Sequence, residues 1–383
     1  MAGLTLLVLA LAGCGAPAPN QWQNIGPGSA QINTLASDPH IRGIIYAGGS
    51  DGTTYVARGD RSGQFVASNT SPGHGLVNVI FPNPYTDGTV YAGTAGGFYA
   101  SSDYGQHYTA RNSGLPADAS VTAITTGPDA NTLFASVAER GLYASADGGK
   151  TWTMVIPVAA VANAAPLPPN ASVEALLWDS TAKALYAGVS GNGAGIYVSH
   201  DHGASWRSDT SGLPAKTDVY ALIAVAAGGI APAGPTLYAG TSAGVFALTS
   251  SAARWQPIGT GFPADAVYAL ATYPPVPGVL YAGTEQTVYS SSDGGRTWKK
   301  VAAGLAHAVP AIVVVPGEHT PTVTFVAAGQ IARYPANAGG GDGGFLGSLI
   351  IIAVVGFAAW YILGRYGLVP GLSEVRRRIS RRS

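Results

Sequence analysis

One eight-residue pattern, present four times, constrains the fold of this chain more than any other feature. Its copies share a Ser, an Asp two positions later, a Gly four positions later and an aromatic residue seven positions later, and they span 101–108, 145–152, 199–206 and 291–298. An Asp carboxylate can accept backbone N–H bonds within a tight turn, the Gly can adopt a positive φ, and an aromatic residue suits the start of a strand. The pattern therefore predicts four hairpin turns of one kind.

A second repeat gives the size of the repeating unit. Segments of an apolar residue, an aromatic residue and often Ala-Gly recur with their aromatics 43 to 52 residues apart, at Tyr46, Tyr91, Phe134, Tyr186, Tyr238, Tyr281 and Phe325. That period is the length of a four-stranded propeller blade, and no long stretch between Trp22 and Tyr334 has helical periodicity. We predict an all-β, seven-bladed β-propeller over residues 22–334.

The phase of the repeats predicts how the ring closes. The last unit supplies three strands, up to Tyr334, whereas the strand around Trp22 has no unit of its own. We expect residues 20–25 to pair with residues 331–334, so that the N-terminal strand completes the last blade.

The eight-residue pattern resembles the Asp box, or bacterial neuraminidase-type repeat, which its families place between the third and fourth strands of a blade. By this resemblance Asp103, Asp147, Asp201 and Asp293 are structural residues. In repeat style the chain resembles the photosystem II stability and assembly factor and the sortilin-type propellers, which implies protein partners, although the arginine patch expected of the assembly factor is not evident. Xyloglucanases also use seven-bladed Asp-box propellers, and sialidases share the box.

The N-terminal residues indicate export. An apolar run from Leu4 to Leu11 ends in Leu-Ala-Gly-Cys, which resembles a lipoprotein signal over residues 1–14 with Cys14 as the lipidated residue. No Lys or Arg precedes the run, and an ordinary signal peptide with an incidental Cys is the alternative. Cys14 is the single cysteine, so no disulfide can form within one chain. Residues 15–21 form a linker.

The C-terminal residues indicate a membrane anchor. A Gly-rich linker at 335–344 precedes nineteen uncharged residues at 345–363, which is long enough for a transmembrane helix. The tail at 364–383 carries six Arg, and positive charge marks the cytoplasmic side. We therefore expect the protein in a bacterial cell membrane with its propeller on the extracytoplasmic side.

Charge and composition exclude several kinds of partner. Residues 15–344 contain 14 basic and 19 acidic residues, a net charge of −5, so nucleic-acid binding is not expected. His200 and His202 flank a turn Asp, which indicates a solvated turn rather than a metal site. We expect no metal and no cofactor.

Candidate binding residues lie at the second position of each predicted first strand: Asn33, Asn78, Thr122, Glu174, Tyr220, Tyr268 and Pro310. Most are polar amid apolar neighbours, and Glu174, Tyr220 and Tyr268 come from consecutive blades, so they could meet near the central channel. Hydrogen bonding to backbone or channel water is the alternative role. If every blade has the same strand order, the loops that carry Glu139 and Arg140 lie opposite the Asp-box turns. The resulting binding set is Asn33, Asn78, Glu139, Arg140, Glu174, Tyr220 and Tyr268, with no catalytic residue assigned.

Three functions fit these residues. We favour a membrane-anchored, non-catalytic propeller that binds or assembles a protein or glycan partner. The alternative is a glycoside hydrolase, which needs paired carboxylates that only Asp51, Glu139, Glu174 and Glu285 could supply. Xyloglucanase-like activity ranks above sialidase-like activity, because no Arg occupies a first strand to grip a substrate carboxylate. A structural spacer is the third.

Overall fold

The chain folds into seven antiparallel four-stranded sheets, the blades of a β-propeller. The computed structural model describes residues 23–335 except 59–63, 74, 156–166, 169–170, 227–235, 250–251, 253, 261, 264, 274, 302–307, 317–320 and 328. The first strands of successive blades contact one another, and the first strand of blade 1 also contacts that of blade 7, so the innermost strands form a closed cycle. The predicted all-β, seven-bladed propeller is confirmed.

Each blade places its strands in chain order from the centre outward. The first three blades are β2 (Ile32–Ser37), β3 (Ile45–Gly49), β4 (Thr54–Ala57) and β5 (Phe65–Ala67); β6 (Val77–Pro82), β7 (Val90–Thr94), β8 (Gly97–Ser101) and β9 (Thr109–Ala110); and β10 (Val121–Thr126), β11 (Leu133–Val137), β12 (Gly141–Ser145) and β13 (Thr153–Met154). The next three are β14 (Ser172–Asp179), β15 (Ala184–Ser190), β16 (Gly195–Ser199) and β17 (Arg207–Ser208); β18 (Val219–Val225), β19 (Thr236–Thr241), β20 (Gly244–Thr249) and β21 (Gln256–Pro257); and β22 (Val267–Thr272), β23 (Leu280–Thr284), β24 (Val288–Ser291) and β25 (Lys299–Lys300). Blade 7 consists of β26 (Ala311–Pro316), β27 (Pro321–Ala327), β28 (Gln330–Pro335) and β1 (Gln23–Asn24).

Both ends of the described chain meet in blade 7. Gln23 pairs with Arg333 and Asn24 with Ala332, and the backbone N–H of Ile25 donates to the carbonyl of Ile331 at 2.9 Å. The N-terminal strand thus closes the last blade as the phase of the repeats predicts, although Trp22 lies outside the described residues. Strand β28 ends at Pro335, one residue past the expected boundary.

A glycine in the second strand brings neighbouring blades together. A Cβ on Gly93 would lie 2.7 Å from the Val121 side chain of the next blade, which is closer than real Cβ atoms approach. Gly48, Gly188, Gly240 and Gly283 face the first strand of the next blade in the same way. In these five blades the Gly is therefore a packing requirement, since a larger residue would push the inner strands apart.

The four repeated turns, which we call the Ser-x-Asp turns, share one network of hydrogen bonds. In the turn after β12, the Ser145 hydroxyl donates to Asp147 Oδ1 at 2.8 Å and accepts the N–H of Gly149 at 2.9 Å. The N–H of Thr151 donates to Asp147 Oδ1 at 2.9 Å, and the Thr151 hydroxyl donates to Oδ2 at 2.6 Å. Each turn joins the third and fourth strands of its blade, as the sequence predicts.

In three of the Ser-x-Asp turns the backbone N–H of the final aromatic residue, Tyr108, Trp152 or Trp298, donates to a carbonyl that follows the preceding blade. Trp152 is buried, its ring lies 4.8 Å from that of Phe98, and its backbone N–H donates to the carbonyl of Ser113 at 2.8 Å. Gly114 has a φ of 89° and stands so close to the Trp152 carbonyl that a Cβ would overlap it. This contact between blades 2 and 3 therefore requires glycine at position 114, both because its φ is positive and because there is no room for a Cβ.

Hydrogen bonds between loops define two faces of the propeller. The N–H of Gly148 in a Ser-x-Asp turn donates to Asn131, which lies between the first and second strands of the same blade. We call this side the turn face. We call the other side the loop face. There the backbone N–H of Ala138, between the second and third strands, donates to the carbonyl of Ser120, which precedes the first strand. The Ser-x-Asp turns therefore lie opposite the loop that carries Glu139 and Arg140, as expected.

The expected membrane-linked segments fall outside the described residues. These segments are the signal and linker at 1–21, the linker beyond Pro335, the transmembrane helix at 345–363 and the tail at 364–383. Within the part of the chain that the structure describes, no helix has the length and apolar character to cross a membrane. The anchor remains a prediction of the sequence.

Candidate functional site

The candidate binding residues of the first strands are the extra residues of β-bulges. In six blades the pairing of the first and second strands skips one residue, and the skipped residues are Asn33, Asn78, Thr122, Glu174, Tyr220 and Tyr268. A bulge leaves its extra residue out of the ladder and re-aims its side chain. The six form one structural series near the loop-face end of the innermost strands, and Pro310 directly precedes β26 in the seventh blade.

In blades 2 and 3 the bulge residue hydrogen-bonds to the next blade. Asn78 Nδ2 donates to the carbonyl of Val121 at 3.0 Å, and the Thr122 hydroxyl donates to the carbonyl of Val173 at 3.3 Å. Both side chains are buried. These bonds give the two polar residues a role in joining blades, which is the alternative that the sequence left open. In blade 1 the amide nitrogen of Asn33 is buried and has no hydrogen-bond partner among the described residues.

In blade 4 the bulge places a carboxylate inside the protein. Glu174 is 3% exposed, and its Oε1 accepts hydrogen bonds from the hydroxyls of Ser172 at 2.9 Å and Ser190 at 2.8 Å. The two serines pair directly across β14 and β15, so the register of this hairpin aims both hydroxyls at one oxygen. The other oxygen, Oε2, is buried without a hydrogen-bond partner in the described part of the chain.

Blades 5 and 6 bring two tyrosines together beside this carboxylate. The rings of Tyr220 and Tyr268 lie 5.2 Å apart at an interplanar angle of 44°. The Tyr220 hydroxyl donates to Asp218 Oδ2 at 3.4 Å, while Asp218 Oδ1 accepts the N–H of Gly191 at 2.8 Å. Asp218 therefore links the loop face of blade 4 to blade 5. Glu174, Asp218, Tyr220 and Tyr268 together form what we call the acidic–aromatic cluster.

Burial and neighbouring negative charge raise the pKa values of Glu174 and Tyr220. Burial raises the pKa of Glu174; the hydrogen bonds from Ser190 and Ser172 oppose this change, and the charge of Asp218 adds to it. Burial also raises the pKa of Tyr220, and Asp218, Tyr268 and Glu174 each raise it further. Both effects favour the neutral form of a group that is desolvated near negative charge.

The sequence does not show that Asp218 joins Glu174. The two acids lie in different blades, and their association depends on how far each loop projects. A partial signal was present, since Asp218 stands two residues before Tyr220 and directly precedes the predicted strand.

Glu139 and Arg140 lie at blade 3. Arg140 Nη2 is 3.0 Å from Asp118 Oδ2, and more than half of each side chain is exposed. Glu139 is exposed at a turn position with a φ of 57°. The described contacts of these two residues therefore belong to the loops of blade 3, whereas the acidic–aromatic cluster draws on blades 4 to 6.

The other candidate carboxylates and histidines occupy turns. Asp51 Oδ1 accepts the N–H of Thr53 at 2.9 Å, and both Asp51 and Glu285 are exposed. His202 has a φ of 57°, and its ring lies 5.6 Å from that of Trp178. Among the described residues, no three His, Cys, Asp or Glu side chains are grouped so that they could hold a metal ion.

Comparison with known proteins shows the fold and leaves the activity open. No protein-family model and no curated protein matches the chain. The GH74 xyloglucanase from Xanthomonas campestris is 21% identical, with a TM-score of 0.63 over 81% of this chain and 53% of the enzyme, so the chain spans about half of that enzyme's length. The extracellular domain of a putative one-component system from B. thetaiotaomicron is 15% identical, with a TM-score of 0.60 over 83% of this chain and 40% of that chain.

A third solved structure matches along its whole length. YCF48 bound to D1 peptide is 14% identical, with a TM-score of 0.58 over 85% of this chain and 99% of YCF48. Structural neighbours thus include an enzyme and a propeller solved with a peptide. At these identities the likeness extends to the propeller fold alone.

Proposed function

We propose that this chain is a non-catalytic binding propeller, anchored on the extracytoplasmic side of a bacterial membrane, that receives a protein partner at its loop face. The observation that carries the proposal is the acidic–aromatic cluster, in which three neighbouring blades bring two tyrosines and two carboxylates together. Tyrosines near the centre of an interface often dominate binding energy, and convergent polar groups at a concave surface supply orientation.

Two further points support a protein partner. The solved YCF48 structure contains a D1 peptide, and nearly all of that propeller aligns with this chain. The cluster also lies opposite the Ser-x-Asp turns, whose side chains are engaged in their own turn networks. A partner bound at the loop face would therefore leave these turn networks undisturbed.

The anchoring part of the proposal comes from the sequence. Cys14 follows an apolar run, and residues 345–363 contain no charge and precede an Arg-rich tail. A spanning helix alone gives effectively irreversible attachment, whereas one lipid chain does not. We assign the primary attachment to 345–363 and a secondary one to Cys14.

The binding site can be tested with a matched pair of tyrosine variants. The full chain is tagged, cross-linked in membranes and purified, and Tyr220→Ala is compared with Tyr85→Ala. Tyr85 is 41% exposed on the turn face and donates its hydroxyl to the carbonyl of Gly127 at 3.1 Å. We expect Tyr220→Ala to reduce recovery of the partner at least tenfold and Tyr85→Ala to leave it unchanged. Equal recovery from both variants, or equal loss, contradicts the proposed site.

Glycoside hydrolysis is the second candidate, and one observation favours it. Glu174 has a raised pKa beside Asp218, and a glycosidase uses a carboxylic acid of raised pKa together with an ionised carboxylate. The test is release of reducing ends from xyloglucan and other β-glucans by the wild-type chain and by Asp218→Asn. Release that depends on Asp218 would replace the binding proposal with an enzymatic one. No release leaves the binding proposal in place.

A further inference from the structure

The unpaired oxygen of Glu174 is the starting point for a more specific inference about the partner. Its Oε1 is held by two serine hydroxyls, but Oε2 is buried with no hydrogen-bond partner among the described residues. A buried carboxylate oxygen without a partner is costly to keep ionised, because burial removes the water that would otherwise solvate it. The site therefore has capacity for one more donor or for a positive charge.

The neighbours of Glu174 add negative charge rather than neutralise it. Asp218 acts on Glu174 and on Tyr220, and the hydroxyl of Tyr220 is directed at Asp218 Oδ2 at 3.4 Å. Arg140, a cation on the same face, is paired with Asp118 at 3.0 Å in blade 3. Two acids thus stand together on blades 4 and 5 while this arginine is engaged elsewhere.

The two tyrosines supply the second half of a site for a cation. Their rings lie 5.2 Å apart at an angle of 44° on two neighbouring inner strands, where Tyr220 is half-buried and Tyr268 is buried. Aromatic faces attract ammonium and guanidinium groups through the ring quadrupole, and the attraction grows when water is excluded. Carboxylates next to aromatic faces fit a Lys or Arg side chain better than they fit an anion.

We propose that the acidic–aromatic cluster binds a cationic side chain, the ammonium of a Lys or the guanidinium of an Arg, presented by a segment of the protein partner. Glu174 Oε2 and Asp218 are its anionic contacts, and the rings of Tyr220 and Tyr268 flank it. This inference rests on the proposed function, because it identifies the chemistry of the partner at the same site.

The test uses three short peptides that differ in one side chain. Acetylated and amidated peptides Gly-Gly-X-Gly-Gly, with X as arginine, lysine or citrulline, are titrated against the full chain in detergent by saturation-transfer NMR. Citrulline has nearly the shape of arginine but no charge. We expect the arginine and lysine peptides to bind at least tenfold more tightly than the citrulline peptide. Equal binding of all three, or no binding of any, overturns the inference.

Two glutamate variants locate the binding. Glu174→Gln keeps an oxygen that can accept the two serine bonds but removes the charge, and Glu285→Gln removes an exposed charge from another loop of the same face. We expect Glu174→Gln to weaken binding of the arginine peptide at least tenfold, and we expect Glu285→Gln to leave that binding unchanged. If Glu174→Gln binds like the wild type, or if both variants lose binding equally, the inference fails. A circular dichroism spectrum and melting curve confirm that each variant is folded.

The outcomes separate this inference from the proposed function. If recovery of a partner depends on Tyr220 but is unchanged by Glu174→Gln, the proposed contact with a cationic side chain is wrong and the proposed binding function stands. If the arginine peptide binds but no partner is recovered in a Tyr220-dependent way, the proposal of a protein partner is wrong. Binding of spermidine as tight as that of the arginine peptide would assign the site to free polyamines and overturn the assignment to a partner protein.

Discussion

The Asp147→Ala variant tests whether the Ser-x-Asp turns hold the propeller together. The substitution removes the acceptor of three hydrogen bonds, from the Ser145 hydroxyl at 2.8 Å, the Thr151 N–H at 2.9 Å and the Thr151 hydroxyl at 2.6 Å. Water can replace the acceptor for Thr151, which is exposed, but not fully for Ser145, which is buried. We therefore expect a loss of about 1–2 kcal/mol in the free energy of unfolding, below the sum of three full bonds.

Thermal melting is the assay. For a domain of this size each kcal/mol lowers Tm by about 1.5 °C, so the expected decrease is roughly 1.5–3 °C at pH 7. The matched control is Glu285→Ala, which removes an exposed acid from the loop face and should change Tm by less than about 1 °C.

The pH dependence gives a sharper criterion. Hydrogen bonds from the Thr151 side chain and backbone lower the pKa of Asp147 from 3.8 to about 2. Because the folded-state pKa is lower than the unfolded one, the stabilisation is present above pH 3.8 and is lost as the pH falls toward 2. The difference between wild type and Asp147→Ala should therefore narrow below pH 4. A variant with wild-type Tm at pH 7, or a difference that does not change down to pH 2.5, would refute this account of the turns.

Three further predictions concern closure, blade packing and attachment. Ile25→Pro removes the N–H that donates to Ile331, so it should lower Tm by several degrees in a melting scan while Ile25→Val does not; equal Tm values would contradict closure by the N-terminal strand. Gly114→Ala forces a Cβ onto the Trp152 carbonyl, whereas Gly28→Ala has a similar φ of 68° and open space, so Gly114→Ala should cost about 2 kcal/mol more in denaturant titrations. Equal costs would mean that the contact between blades 2 and 3 is not tight. Cys14→Ala should leave the protein in the membrane fraction after carbonate extraction, because residues 345–363 suffice; release into the supernatant would contradict this.

The sequence predicts the blades because their signals are local and repeated. The spacing of Tyr46 and its six equivalents sets the unit length, and the phase of the last unit predicts the pairing of β1 with β28. Both inferences need only the order of strands along the chain. A sequence signal for packing between blades is the Gly after Tyr-Ala in the second strand of five blades, but its reason emerges only when the next blade is in place.

The candidate site was predicted less completely because it depends on register. Six polar residues in apolar strands were visible, but a bulge is a property of two paired strands, and one strand alone does not reveal it. The meeting of Glu174, Tyr220 and Tyr268 follows from blade order. The hydrogen bonds of Ser172, Ser190 and Asp218 depend on loop shape, which local propensity does not determine.

Because β1 pairs with β28, hydrogen bonds close the ring, and the two ends of the described chain lie within a single blade. Antiparallel partners lie about 5 Å apart, so the positions of Gln23 and Arg333 are near enough for a short linker to join the two ends of the described chain. The same ring could then be opened between β5 and β6, where one blade ends and the next begins. Such a circular permutant would keep every strand pair but would carry its termini at blades 1 and 2. Any membrane tethers would then leave from a neighbouring position on the rim, and the acidic–aromatic cluster would be rotated about the ring axis relative to the bilayer.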